Sequence, residues 1–285
     1  MRASRRSTLR WATPGSPLVS ALVLLALGTV FDARETSAAI SIHEGIVAAP
    51  KGTGCPPGTQ RIAAGRFPIG TSAMQAYEAD EQPRHFVSLT RAYCLDRTEL
   101  TVEAYARCAA EGRCAQVVPA FVGEGMPMTN VRWRDARDAC AFRGGRLPTE
   151  VEWEHAARGG DDRLYPWGSW TPWCQYADSM FDMLGHCNGY GPSPVGSFPA
   201  GASPYGVLDL AGNVLEWVDD AWDDRAWKNQ PDVDPHLSDE GARMHVVRGG
   251  SWDNDTVHGL RVSQRDAYPS ELADETLGFR CAYDE

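Results

Sequence analysis

Eight cysteines, at positions 55, 94, 108, 114, 140, 174, 187 and 281, constrain this chain more than any other feature. An even set, all beyond the first 54 residues, reads as four disulfides of a protein that matures in an oxidising compartment. Spacing alone leaves about 105 pairings open. Two short loops, Cys108 with Cys114 and Cys174 with Cys187, are attractive on distance. A chain stapled in this way needs little regular structure. Its Gly 28, Pro 19 and Trp 10 point the same way, to a loop-rich fold pinned by aromatics, while 43% hydrophobic residues suffice for a sizeable core.

The first 39 residues read as an export signal. Arg2, Arg5, Arg6 and Arg10 precede the apolar stretch Leu18 to Phe31, and Ser37, Ala38 and Ala39 offer a cleavage site. The stretch is shorter than the about 20 residues that a spanning helix needs. Ser4-Arg5-Arg6-Ser7-Thr8-Leu9 is similar to a twin-arginine signal, with Thr8 where an aromatic is usual. Residues 40–54 read as a tether and residues 55–285 as one domain, because no linker-like composition divides them. Cleavage near Ala39 takes the formal net charge from −11 to −14, an acidic balance that excludes nucleic acid and anionic membranes as partners and suits calcium or cationic ones.

Local patterns predict strands at 66–70 and 85–89, with a polar loop at Glu78–Arg84 between them. A helix is expected after Thr101, with Val102, Tyr105, Ala106 and Ala109 on one face and Gly112 as its stop. A second is expected over 132–142, stopped by Gly144-Gly145. The third is the best signalled: Thr149 and Glu152 form a capping box, and Gly159-Gly160 ends it. Beyond Leu164 only Met244–Val247 and Leu277–Tyr283 look strand-like. The Asp- and Pro-rich run Trp227–Arg243 reads as a surface insertion. The seven histidines lack the close spacing of a zinc or iron site, and the acidic run Asp219, Asp220, Asp223 and Asp224 reads as a solvated face before it reads as an acid/base pair.

Five segments carry more information. They are Asp-Arg-Thr-Glu-Leu-Thr (96–101), Gly-Arg-Leu-Pro-Thr-Glu-Val-Glu-Trp-Glu (145–154), Gly-Asn-Val-Leu-Glu-Trp (212–217), Arg-Gly-Gly-Ser-Trp (248–252) and Gly-Phe-Arg (278–280). In this order and spacing they resemble the formylglycine-generating-enzyme (sulfatase-modifying-factor) family from about Gly65 to the C-terminus. The resemblance implies an α+β, modified C-type-lectin-like fold: loop-rich, with small antiparallel sheets and a few helices, stabilised by disulfides and calcium. It implies a Cys140–Cys281 disulfide, which with the two local pairs leaves Cys55 with Cys94. It further implies calcium at Asn213 and Glu216, with a second site at Asp178 and Asn188. The alternative for Glu216 is a buried carboxylate paired with a backbone amide or an arginine, and for Asp178 a solvated acid. Ser251 and Trp217 match the family's active-site region, and with Arg261 they are the candidate catalytic pocket.

One departure decides the functional expectation. The family's oxidising enzymes hold Cu(I) between two cysteines after the Arg-Gly-Gly-Ser segment, because soft thiolates select that ion. Here Asn254 and Gly259 occupy those positions, and no cysteine lies between Ser251 and Arg280. Copper is therefore not expected. The same C-terminal segments are similar to retroelement-diversified lectin-like binding proteins, which implies a ligand surface of Trp252, Asp253, Asn254, Asp255, His258, Gln264, Arg265 and Tyr268. The expectation is an exported, periplasmic or extracellular domain that binds a peptide, glycan or envelope protein. The alternative is an oxidoreductase-type enzyme of the same family with different chemistry, formylglycine-generating or like the exported relatives that mature a siderophore chromophore. Related iron-dependent sulfoxide synthases carry their metal histidines on an attached helical domain that this chain has no room for.

Overall fold

A computed structural model describes residues 54–72, 74–180 and 187–285. The expected export signal and all but the last residue of the expected tether lie outside these. Three helices begin where capping groups stand. Helix α1 (Val102–Ala110) starts at Thr101, whose hydroxyl accepts the Ala104 N–H, and the chain turns away at Gly112, with φ +67°. Helix α2 (Trp133–Phe142) starts where the Asp135 carboxylate accepts the Arg132 N–H at 3.1 Å. Helix α3 (Glu150–Arg158) has the full reciprocal box, with Glu152 N–H to Thr149 Oγ1 at 3.2 Å and Thr149 N–H to Glu152 Oε2 at 2.8 Å. Every residue of α3 is buried, so it is the central rod of the domain.

The strands form three small sheets. Strands β2 (Gly65–Ile69) and β3 (His85–Leu89) make an antiparallel hairpin. Strand β4 (Tyr93–Asp96) lies between β1 (Thr59–Ile62) and the last strand, β9 (Ala282–Asp284), in a second antiparallel sheet. The third sheet has the order β7 (Asp266–Pro269), β6 (Met244–Arg248), β5 (Leu215–Ala221), β8 (Leu277–Phe279). Its β5–β8 pair is parallel, an addition to the antiparallel pattern expected. A last short helix, α4 (Ala226–Asn229), follows β5.

Several local expectations need correction. Strand β5 was not legible, because six of its seven residues are buried and no polar alternation survives. The expected strand Leu277–Tyr283 is two strands in different sheets, broken at Arg280 and Cys281, where a buried ion pair and a disulfide fix the chain. The polar loop Glu78–Arg84 sends Glu81 inward, where it meets Arg261 and accepts the Ser263 hydroxyl at 2.8 Å. Trp227 is core; exposure in the expected insertion begins after it, at Lys228.

Four disulfides join Cys55–Cys94, Cys108–Cys114, Cys140–Cys281 and Cys174–Cys187. They are the four pairs expected: Cys140–Cys281 from the resemblance, the two local pairs from their spacing, and Cys55–Cys94 as the pair left over. Two apolar clusters fill the spaces on either side of the third sheet's strands, one around Trp133, Trp217 and Phe279 and the other around Phe67, Trp153 and Val246. Between them runs a chain of buried ion pairs. Glu154 bonds Arg158 and Arg248, Glu150 bonds Arg248 and Arg265, and Glu216 bonds Arg280. Each charge has a fixed partner, the condition under which ions are tolerated away from water.

Candidate functional site

Strand β6 delivers Arg248 into that ion-pair chain, and Gly249 and Gly250, at φ +93° and +71°, then turn the backbone sharply. A side chain at Gly250 would meet the Gly259 carbonyl at 2.6 Å, so the turn brings Ser251–Gly259 back onto itself. Asn254 locks it: its Oδ1 accepts the Ser251 N–H at 2.6 Å. A Cβ on Gly259 would lie 2.3 Å from Asn254 Nδ2. The two positions where the resemblance places copper thiolates are thus in contact, filled by an amide and a glycine. Neither is a soft ligand, so this segment does not fit Cu(I).

The three residues proposed as a pocket are committed elsewhere. Trp217 is fully buried and its indole N–H donates to the Val131 carbonyl at 2.9 Å. Arg261 holds the 75–81 loop through the Gln75 carbonyl and Glu81. Ser251 shapes the turn, its Oγ accepting the Asp253 N–H at 3.3 Å.

The proposed metal ligands Asn213, Glu216 and Asp178 have protein partners of their own. Both Glu216 oxygens face Arg280, at 2.6 and 2.7 Å, and Oε2 also accepts the Trp153 indole N–H at 2.9 Å, which is the buried-pair alternative. Asn213 accepts the Ser193 N–H and donates to Glu99. Asp178 is buried, not solvated, and accepts the Ser193 hydroxyl, while Asn188 is exposed. Among the described residues no three Asp, Glu, His or Cys side chains converge as metal ligands. A different pair has hard oxygens to spare. Burial and then Asp209 push Glu99 well above the carboxylate range, and burial raises Asp209 as well. Glu99 Oε2 and Asp209 Oδ1 are buried without a hydrogen-bond partner among the described residues.

The eight proposed binding residues do not form one surface. Arg265 is buried on Glu150 at 2.7 and 2.8 Å, between the rings of Trp222 and Trp227. With Gln264 it lines a cavity of about 670 Å³ that includes none of residues 251–258. Asp266 in that cavity is pushed up to about 6 by burial and by Asp80. Tyr268 packs partly on the core from β7. Trp252 is buried edge-on to Phe121, their centroids 5.8 Å apart, and leaves Asp253, Asp255 and Thr256 as the exposed groups of the turn. His258 stacks on Tyr77 at 4.2 Å.

Sequence reasoning missed a second cavity, of about 420 Å³, lined in part by Arg91, Arg146, Asp219, Asp234 and His236. His236 Nε2 lies 2.9 Å from Asp219, and that hydrogen bond raises the imidazole above its ordinary value. Asp220, its neighbour in the acidic run, is instead buried on the backbone N–H groups of Glu150 and Leu237.

The sequence and the fold have counterparts. Residues 47–285 match the sulfatase-modifying factor enzyme 1-like domain. The chain belongs to that family. The inactive C-alpha-formylglycine-generating enzyme 2 of Bos taurus is 38% identical over 184 residues, which are 58% of this chain and 54% of that one. The formylglycine-generating enzyme of Streptomyces coelicolor is 36% identical over 174 residues, 55% and 52% of the two chains. This chain therefore spans about half the length of these curated relatives. Among solved structures, PvdO from Pseudomonas aeruginosa superimposes with a TM-score of 0.68 at 26% identity, over 80% of this chain and 94% of that one. The family thus contains both active and inactive proteins, and the loop-rich, modified C-type-lectin-like fold is the family's.

Proposed function

We propose that this member of the sulfatase-modifying-factor family is an exported binding domain without copper redox chemistry, its partner a peptide, glycan or envelope protein. The observation that carries the reading is the contact between Asn254 and Gly259: two positions close enough to share a metal hold no thiolate. Likeness to an inactive formylglycine-generating enzyme supports it. Four disulfides, and the lack among the described residues of a helix long and apolar enough to cross a membrane, fit export. Purified protein incubated with Cu(I) and then with a cysteine peptide and oxygen is expected to retain no stoichiometric copper and to form no formylglycine by mass spectrometry. Stoichiometric copper, or the aldehyde, sinks the proposal.

Calcium enters as a structural ion. Glu99 and Asp209 each keep a buried oxygen without a hydrogen-bond partner among the described residues, and hard oxygen donors of this kind suit calcium once both carboxyls are ionised. Millimolar calcium is expected to raise the unfolding temperature by about 3–8 °C over EDTA at pH 8, equivalent to about 1–3 kcal/mol of linked binding. Glu99→Gln should abolish the difference. A calcium effect that survives Glu99→Gln places the ion elsewhere, and no effect removes it from the reading.

A second reading, an enzyme of the same family with other chemistry, is favoured by the Asp219–His236 pair in its half-enclosed cavity. A small molecule carried through purification and displaced by His236→Trp would favour it over the first.

A further inference from the structure

Four aromatic side chains stand in solvent around the turn that replaced the metal site: Tyr77, Trp170, Trp173 and Tyr190 are 58%, 75%, 50% and 87% exposed. The loops that carry them are fastened to residues 252–258. Tyr77 stacks on His258. Tyr165, the first ring of a parallel stack that continues through Trp167 to Tyr176, donates its hydroxyl to the Val257 carbonyl at 3.2 Å. Phe121 meets Trp252, and Gly191, next to Tyr190, is packed so closely on Phe121 that a Cβ there would lie 2.6 Å from the ring. Three separate loops thus hold aromatic surface against one turn. Exposed large apolar groups gathered in this way mark an interaction surface more often than chance scatter.

Charge selects the partner. From Leu164 to Asp224 the sequence has no lysine or arginine, and neither does Ser251–Leu260. The cations that flank these stretches in sequence are paired: Arg163 with Asp161, Arg225 with Asp224, Arg248 with Glu150 and Glu154, and Arg261 with Glu81. Asp253 and Asp255, at the centre of the turn, are exposed. Aromatic faces and carboxylates without competing cations attract ammonium and guanidinium groups, through the ring quadrupole and through simple charge. A neutral glycan would use the rings and gain nothing from the acids; an acidic partner would be repelled.

We infer that this face binds a basic peptide segment, its Lys or Arg side chains over the indoles of Trp170 and Trp173 and paired with Asp253 and Asp255. The inference rests on the copper-free binding reading and adds the class of ligand. It is tested on the whole purified protein by tryptophan fluorescence and calorimetry, with an eight-residue peptide alternating Lys and Ala, its Glu/Ala counterpart, and chitotetraose. The lysine peptide is expected to bind at least about tenfold more tightly than either of the others, and to weaken about three- to tenfold between 50 and 300 mM salt. Trp170→Ala with Trp173→Ala should weaken it about tenfold, and Asp253→Lys with Asp255→Lys should turn the preference toward the glutamate peptide. These positions are exposed, so the unfolding temperature of each variant serves as the check on folding. Equal or tighter binding of the glutamate peptide or the saccharide, no binding of the lysine peptide, or an unchanged preference in the Asp253→Lys/Asp255→Lys variant overturns the inference. Those outcomes leave the copper-free reading standing, which falls on stoichiometric copper or on formylglycine formation.

Discussion

Arg280→Met is expected to cost about 3–5 kcal/mol, enough to unfold much of the population of an ordinary domain at 37 °C. Arg280 is wholly buried and bonds Glu216 through two nitrogens. Its other N–H groups hold the carbonyls of Asp96, Leu208 and Asp209. Burial raises Glu99, Asp209 and Glu216, Asp209 raises Glu99 and Glu216 further, and Arg280 opposes the rise in all three. Removing the one cation leaves three acids facing one another and three carbonyls short of a donor. Adding Glu216→Gln should recover part of the loss, since the amide still accepts the Trp153 N–H and carries no charge. Arg132→Met is the control: its ion pairs with Asp135 and Glu271 are half-exposed, and it should cost less than about 1 kcal/mol. Urea titrations followed by circular dichroism measure all three. A cost for Arg280→Met no larger than that for Arg132→Met would show that the buried pair is not what holds the sheets together.

The same network explains why the sequence motifs are recognisable. Glu99 from the first segment bonds Asn213 from the third, Trp153 from the second bonds Glu216, Arg248 from the fourth bonds Glu150 and Glu154, and Arg280 from the last returns to Glu216. Polar side chains that must satisfy one another in the core can change only together, so they leave a strong sequence signal. The helices were legible for a local reason, since Thr101, Thr149 and Glu152 act within one turn. Strand β5 was not, because burial on both faces erases its period. The candidate site was read least well. Trp217, Arg261 and Arg265 are polar or amphipathic types that suggest a surface, and their buried partners, Val131, Glu81 and Glu150, lie far away in sequence. The exposed aromatics were missed for the opposite reason: tryptophan in a loop-rich chain reads as core, and only the missing lysine and arginine over 164–224 marks this stretch as different.

Loss of the Cys140–Cys281 bond, by Cys140→Ala with Cys281→Ala, should be the costliest of the disulfide removals. The bond joins the second helix to the short link between β8 and β9, across a separation of 141 residues, next to Arg280. Cys108–Cys114 closes a separation of 6 residues. If cross-links act by restricting the unfolded chain, the long loop contributes about 5 kcal/mol and the short one about 2 kcal/mol. Urea midpoints of the two double-alanine variants distinguish this from a purely local effect. On the entropic account the Cys140→Ala/Cys281→Ala protein loses at least twice as much stability, and its unfolding slope steepens as the denatured chain expands. Both sulfur positions are buried in the same apolar cluster, so loss of native packing would affect the two variants alike. Equal losses with unchanged slopes would therefore assign the stabilisation to that packing, and would make the neighbouring Arg280–Glu216 pair the dominant long-range tie between the N-terminal sheet and the rest of the domain.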